Sequence, residues 1–277
     1  MAVPDPTRPP RTMRRWRGAA LPGGRRWSVA CGAGRQDGTE DVRGRRRGVR
    51  LVGLTAASAL YGLWIRPRML TWGASPNETA AAYPGDELVP DPDSGATMAT
   101  TLPAPPETVW AWLVQMGGGR GGWYSWDWVD NKGVPSADRI VAEWQSLTVG
   151  QLLRGPTNWW TVVVVEPNRT LVLQSRYSLL TGRSFDPRSD RPPRVYAEGV
   201  WGFHLRPARG GGARLVIRTR SRGRPRLFTR PFGLLVGEPV HVVMQSRQFH
   251  NLRSRVAAGR WMPVGRAPDP PRAARPG

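Results

Sequence analysis

The stretch ATMATTLPAPPETVWAWLVQMGGGRGGWYSWDW, residues 96–128, decides how the rest of this chain is read. ATMATTL alternates small residues with Met98 and Leu102 and stops at Pro103, as a β-strand would. PPETVWAWLVQM then opens on two prolines and puts Glu107 in the first turn, where an acid suits the helix dipole. Val109, Trp110, Leu113 and Met116 fall on one face of that helix. Gly117, Gly119 and Gly122 follow with the G-x-G-x-x-G spacing of a phosphate-binding loop. Such a loop must leave a strand and open a helix. This one leaves a helix and enters WYSWDW, which opens none. A kinase-type glycine loop fails as well, because it needs a downstream strand lysine and Lys132, the only lysine, sits in the polar turn DNKGVPS. The glycines are read instead as a helix end and a loop that lets aromatic side chains crowd together.

Downstream the chain turns to β-structure. LTVGQLLRG (147–155), NWWTVVVVEP (158–167), TLVLQSR (170–176), VYAEGVWGFHLRP (195–207) and ARLVIRTRSR (213–222) are β-branched and aromatic runs bounded by turn residues. VVVVEPNRTLVLQSR predicts a hairpin across Glu166-Pro167-Asn168, and residues 178–193 a mobile loop. Residues 237–259 predict a helix of about 20 residues, with Pro239 in its first turn and Gly259 as its stop. Val242, Phe249, Leu252 and Val256 form its apolar stripe, with Gln245 inside the stripe and His241 and Gln248 at its edge. Polar groups on a buried face need partners.

Upstream, residues 1–48 mix Pro, Gly and Arg without hydrophobic period and predict a disordered tail, as do residues 260–277. LVGLTAASALYGLWI (51–65), within a hydrophobic helix over 49–70, has 15 uncharged residues, short of the roughly 17–25 a spanning helix needs. It reads as a short membrane anchor, a signal-like segment or a surface helix, and no A-x-A-like cleavage site follows it. As an anchor, the arginines before it would hold the N-terminus in the cytoplasm; without one, the protein is expected to be cytoplasmic. Met69 offers an alternative start that would delete the segment. Residues 74–94 read as a short helix and an acidic, Pro-rich link.

The net charge of +21 comes from 41 basic residues, all but Lys132 arginine, against 20 acids. It is uneven: residues 1–70 hold 15 Arg and 4 acids, 71–170 hold 5 basic and 11 acidic residues, and 171–258 hold 17 basic and 4 acidic. No single recognition helix carries the excess, so no nucleic-acid partner is expected. Cys31 is the only cysteine, which excludes a disulfide within the chain and a thiolate zinc site.

The strand and helix at the start, the run of strands and the long C-terminal helix resemble the helix-grip fold of the SRPBCC superfamily, which holds START-like lipid-transfer domains and polyketide cyclases. The residues that carry the likeness are Ala104-Pro105-Pro106-Glu107-Thr108-Val109-Trp110, QMGGGRGGWYSWDW, ADRIVAEWQSLTVGQ (137–151) and EPVHVVMQSRQF (238–249), the last three similar to an uncharacterised bacterial branch. The resemblance spans residues 71–259. It implies an α+β domain whose curved antiparallel sheet wraps around the C-terminal helix, with a cavity between them for a small hydrophobic or amphipathic ligand. Carrier or sensor is the expected role, and a cyclase- or dehydratase-type enzyme the alternative.

The expected ligand contacts are Trp123, Tyr124, Trp126, Arg139, Trp201, His241, Met244 and Gln245. For acid–base chemistry the candidates are Asp127, Tyr124 and His241. Each has a plainer reading: the aromatics as a seal on the core, Asp127 as a partner of Arg120 or Arg139, Arg139 as that partner. His204, His241 and His250 make no metal set, since the last two lie on opposite faces of one helix. Neither metal nor cofactor is expected, and oligomeric state is left open.

Overall fold

A computed structural model describes residues 52–259 except 54, 157 and 186–192. The expected tails, 1–48 and 260–277, lie outside the described residues, as does the middle of the 178–193 loop. The architecture below is that of the compact unit that begins at Leu54.

Six strands form one antiparallel sheet: β1 (Ser94–Leu102), β2 (Leu152–Arg154), β3 (Trp159–Glu166), β4 (Thr170–Ser178), β5 (Tyr196–Pro207) and β6 (Ala213–Arg224). Their order is β1-β6-β5-β4-β3-β2. β2 to β6 form a meander, while β1 pairs with the last strand, from Ser94↔Ser221 to Leu102↔Ala213. The β3–β4 hairpin turns on Asn168, which takes a left-handed conformation at φ +61°, a region that asparagine tolerates. A register shift between Val162 and Val164 marks a bulge that bends β3.

Short helices precede and follow β1: α1 (Arg66–Leu70), α2 (Pro76–Ala80), α3 (Pro106–Val114) and α4 (Asp127–Asp130). After β6 come α5 (Arg226–Phe232), a π-helical turn over Gly233–Gly237, and α6 (Glu238–Ala257). The last three are one unbroken helical run, so the C-terminal helix starts eleven residues earlier than its expected start at 237. The π turn is the reason. Pro239 has no N–H and would crowd the turn before it; there the Glu238 amide reaches back to the Gly233 carbonyl, five residues away. The same device precedes Pro67, where the Arg66 amide reaches the Tyr61 carbonyl.

One face of the sheet carries the main core. Met98, Leu171, Leu173, Phe203 and Ile217 meet Val109 and Leu113 of α3 and Phe249, Leu252 and Val256 of α6. The opposite face is rich in arginine, and residues 71–93 lie across it. Glu78 is 3% exposed and accepts from Arg214 Nη2 at 2.7 Å and from Arg206, while also closing a capping box with Ser75 at the start of α2. Asp86 accepts from Arg218 Nε at 2.9 Å, and Arg220 Nε donates to the Val89 carbonyl at 2.8 Å. Part of the charge imbalance along the sequence is therefore paired off by folding: the acidic link is the cover of the basic strands.

The apolar run 51–65 is helical over 55–65 and continues into α1. Among the described residues no helix is long and apolar enough to cross a membrane, so the spanning form of the anchor reading finds no support there. Arg66 ends the apolar stretch and is committed to Glu238 of α6, with Nε to Oε2 at 2.6 Å.

Hydrogen bonding to Arg214 holds the Glu78 carboxyl down near about 2, against 4.5 when free. The ion pairs therefore stabilise the fold fully above pH 4.5 and are lost as pH falls toward 2. Glu78→Gln is expected to cost about 1–3 kcal/mol at pH 7, since Arg206 and Arg214 can still reach water. Thermal melts at pH 7, 4.5 and 2.5 check this: the gap between parent and variant should shrink across the acid window.

Candidate functional site

The glycine loop organises the site without being its ligand-binding part. Gly117, Gly119 and Gly122 all have positive φ (125°, 81° and 75°), which explains the residue choice. The amides of Gly117, Gly118, Arg120, Gly121 and Gly122 all donate to backbone carbonyls, Gly118 to Arg154 of β2 at 2.8 Å. A phosphate nest needs several such amides free and converging. These are already used.

The loop delivers residues 123–125 to the polar side of α6. Gln248 Nε2 donates to the Trp123 carbonyl at 2.8 Å, Asn251 Nδ2 to the Tyr124 carbonyl at 3.0 Å, and Ser125 Oγ to the Met244 carbonyl at 2.9 Å. Gln248, one of the polar residues at the edge of the apolar stripe, is thus spent on the aromatic segment. Gln245 is not: its Nε2 donates to Gln248 Oε1 at 2.7 Å, and its Oε1 has no protein partner.

Between α6 and the sheet lies a cavity of about 480 Å³. Three indoles wall it: Trp201 stacks on Trp123 with ring centroids 5.5 Å apart and tilts against Trp160 at 5.6 Å. His241, Met244 and Gln245 come down from α6, and Asp130 stands at the end of α4. Four polar groups there have enclosed atoms without a hydrogen-bond partner: both carboxylate oxygens of Asp130, His241 Nε2, Gln245 Oε1 and Trp201 Nε1. Burial pushes Asp130 up to about 7, and the neighbouring Asp127 carboxylate adds to the shift. Burial pushes His241 down to about 4, so its imidazole is neutral at pH 7.

Of the residues expected at the ligand, Trp123, Trp201, His241, Met244 and Gln245 line this cavity, and Tyr124, Trp126 and Arg139 do not. Tyr124 is fully buried in the core, at φ +58°, its hydroxyl accepting from Gln115 Nε2 at 2.9 Å; burial raises its pKa. Trp126 points outward beneath the Arg247 guanidinium, 4.9 Å from its ring centre. The Arg139 side chain is exposed, and only its carbonyl is engaged, by Gln115. Asp127 is not a cavity residue either: it accepts from Ser136 Oγ, not from Arg120 or Arg139, and Arg120 donates to the Val114 and Trp144 carbonyls. The acid that faces the cavity is Asp130, three residues on in the same short helix. Sequence reasoning passed over it and over Trp160; the signal for Asp130 was its place directly after Trp128-Val129, two apolar residues that turn α4. His204 lies on the other face of the sheet, its ring 4.6 Å from that of Tyr83.

No protein-family model matches the chain, and no curated protein does. Among solved structures it is similar to protein MLL2253 from Mesorhizobium loti, at 19% identity over 60% of this chain and 98% of that one, with a TM-score of 0.33. It is also similar to a protein from Arthrobacter aurescens (13% identity, 59% and 86% covered, TM-score 0.36). A third, DynU16, is described as a protein in the dynemicin biosynthetic locus; there the identity is 18%, the TM-score 0.34, and this chain covers 49% of its length. Likenesses of this size identify neither a family nor a function, and the architecture above rests on its own strand order and register.

A Cβ on Gly122 would stand 2.3 Å from Ser136 Oγ, at a backbone φ of +75°. Gly122→Val is therefore expected to lower stability by about 1–3 kcal/mol or more, from clash and strain together. Calorimetry should meanwhile register no binding of ATP, GTP or NAD to the parent. A variant that melts like the parent, or a nucleotide bound tightly, would contradict this account of the loop.

Proposed function

We propose that this chain is a helix-grip domain of the SRPBCC kind that encloses a small hydrophobic or amphipathic molecule between α6 and the sheet, as a carrier or sensor. One observation carries the reading: an indole-walled cavity holding four buried polar groups that the protein leaves without partners. An unmatched buried polar group costs about 1–3 kcal/mol, and four in one cavity are explained by a ligand that completes them. Their chemistry limits that ligand. Trp201 Nε1 can only donate, Gln245 Oε1 can only accept, His241 is neutral at pH 7, and Asp130, raised to about 7, is there divided between its neutral and charged forms. An apolar body with an uncharged hydroxyl or carbonyl end suits this set. An acid suits it less, because the Asp130 carboxylate would repel it.

The second reading is an enzyme of cyclase or dehydratase type in the same cavity. Asp130 favours it: a carboxyl raised to about 7, lining the same cavity as a neutral histidine, is suited to passing a proton to and from a substrate. In that case Asp130 and His241, rather than Asp127 and Tyr124, are the acid–base pair.

Native mass spectrometry of the full chain from its own host tests the main reading. A co-purifying molecule is expected, displaced when Met244→Trp fills the cavity; a chain that is always empty would count against it. Asp130→Asn then separates binding from turnover, since a carrier keeps its ligand and an enzyme loses its reaction. The same variant has a stability signature. Asp130 ionises near pH 3.8 when unfolded and about 7 when folded, so the parent loses stability as pH rises between those values. Asp130→Asn should melt higher than the parent at pH 8, with the difference vanishing toward pH 4.

A further inference from the structure

The helix over 55–70 and the run from α5 into α6 lie side by side and parallel. Tyr61 pairs with Leu234, Arg66 with Glu238, and Trp72 stacks on Phe249 at 6.1 Å. Their lower halves join the core. Their upper halves present an apolar face that nothing in the described chain covers. Leu227, Phe228, Phe232, Leu235, Val240 and Val243 are 51–77% exposed, and Leu60, Leu63 and Trp64 beside them 55–79%. Patches of large exposed apolar side chains on this scale mark a docking surface.

Three features say what docks there. First, the face is continuous across two adjacent helices: the Tyr61 hydroxyl donates to the Leu234 carbonyl at 3.2 Å, and exposed Leu60, Leu63 and Trp64 on one helix adjoin exposed Phe232 and Leu235 on the other. An in-plane interfacial site takes an apolar surface of that breadth. Second, its rim is cationic. Arg68, Arg230 and Arg247 are exposed, and the only acid within 55–73 and 226–250 is Glu238, which is 5% exposed and neutralised by Arg66. A second copy would bring the same arginines against each other, whereas anionic headgroups complement them. Third, the Arg68 guanidinium lies 3.8 Å above the exposed Trp64 ring, a pairing suited to the headgroup boundary, where an amphipathic ring and a snorkelling cation both find partners.

We propose that these two helices lie in the surface of an anionic bilayer, their apolar side chains in the acyl boundary and their arginines on the headgroups. Attachment is in the plane of the interface, with no span. Gly237 and Val240, both exposed on this face, also line the cavity. Resting on the ligand reading above, this adds a route: the guest passes between bilayer and cavity without crossing water.

Flotation of the full chain with phosphatidylcholine–phosphatidylglycerol vesicles at physiological salt tests the face; parent and variant share the arginine-rich segment 1–50, so the difference between them reports the helices. The parent should float, and Phe232→Asp/Leu235→Asp should reduce the bound fraction at least ten-fold with an unchanged melting temperature, both side chains being exposed. A parent that stays at the bottom, a variant that floats like the parent, or a variant whose only effect is to dissociate a dimer in sedimentation velocity overturns the proposal. Native mass spectrometry on the same samples keeps the two readings apart: a parent that fails to float yet holds a small molecule defeats the face alone, and one that floats empty defeats the cavity alone.

Discussion

The carboxylate of Glu78 ties the outer half of this protein together. An antiparallel sheet has two faces, and one long helix can cover only one of them. The other face here carries Arg206, Arg214, Arg218 and Arg220 on neighbouring strands, a row of like charges that would repel if left alone. Residues 71–93 resolve this by laying Glu78, Asp86 and the Val89 carbonyl over them. With that side closed by charge, the inner side is left to apolar packing. The cavity is then a place where that packing is withheld, roofed by α6.

Much of the architecture was legible because its elements obey strong local rules. The strands are β-branched runs between turn residues, and β3 to β6 follow those runs closely, whereas of the run 147–155 only Leu152–Arg154 is strand. The helix after Pro105 announces itself by its prolines and Glu107. What was not legible is where two rules compete. Pro239 read as a first-turn residue, so the helix was expected to begin at 237; a π turn absorbs the misfit and the helix runs on from Arg226. Charge was misleading for a similar reason. Acidic and basic segments far apart in sequence neutralise each other only once β6 lies beneath the acidic link.

The candidate site shows the same division. Residues placed by helical periodicity, His241, Met244 and Gln245, reach the cavity because α6 is regular where they sit. Residues of the aromatic segment were harder to place. Tyr124 takes a left-handed backbone conformation, which breaks any simple alternation along WYSWDW and turns its ring into the core. Asp127 and Asp130 share one helical turn, yet only the second faces inward, a difference that depends on how Ser136 captures the first. The unsatisfied groups around the cavity are a cost the rest of the fold must carry, and the ion pairs outside and the dense core beside α3 help to carry it.

The pairing of β1 with β6 has a consequence during synthesis. Ser94 meets Ser221 and Leu102 meets Ala213, so the first strand waits for the last before its edge is satisfied. At translation rates of about 5–20 residues per second, the interval between them, more than about a hundred residues, lasts roughly 5–25 s. Throughout it β1 and the apolar helix before it are on the nascent chain without their lasting neighbours. Contacts so distant in sequence also make closure slow, because a long loop must be ordered before they are rewarded. The apolar helix at residues 55–65 leaves the ribosome well before the strands it will serve, and a surface that received it early would hold the chain in place while the sheet is completed.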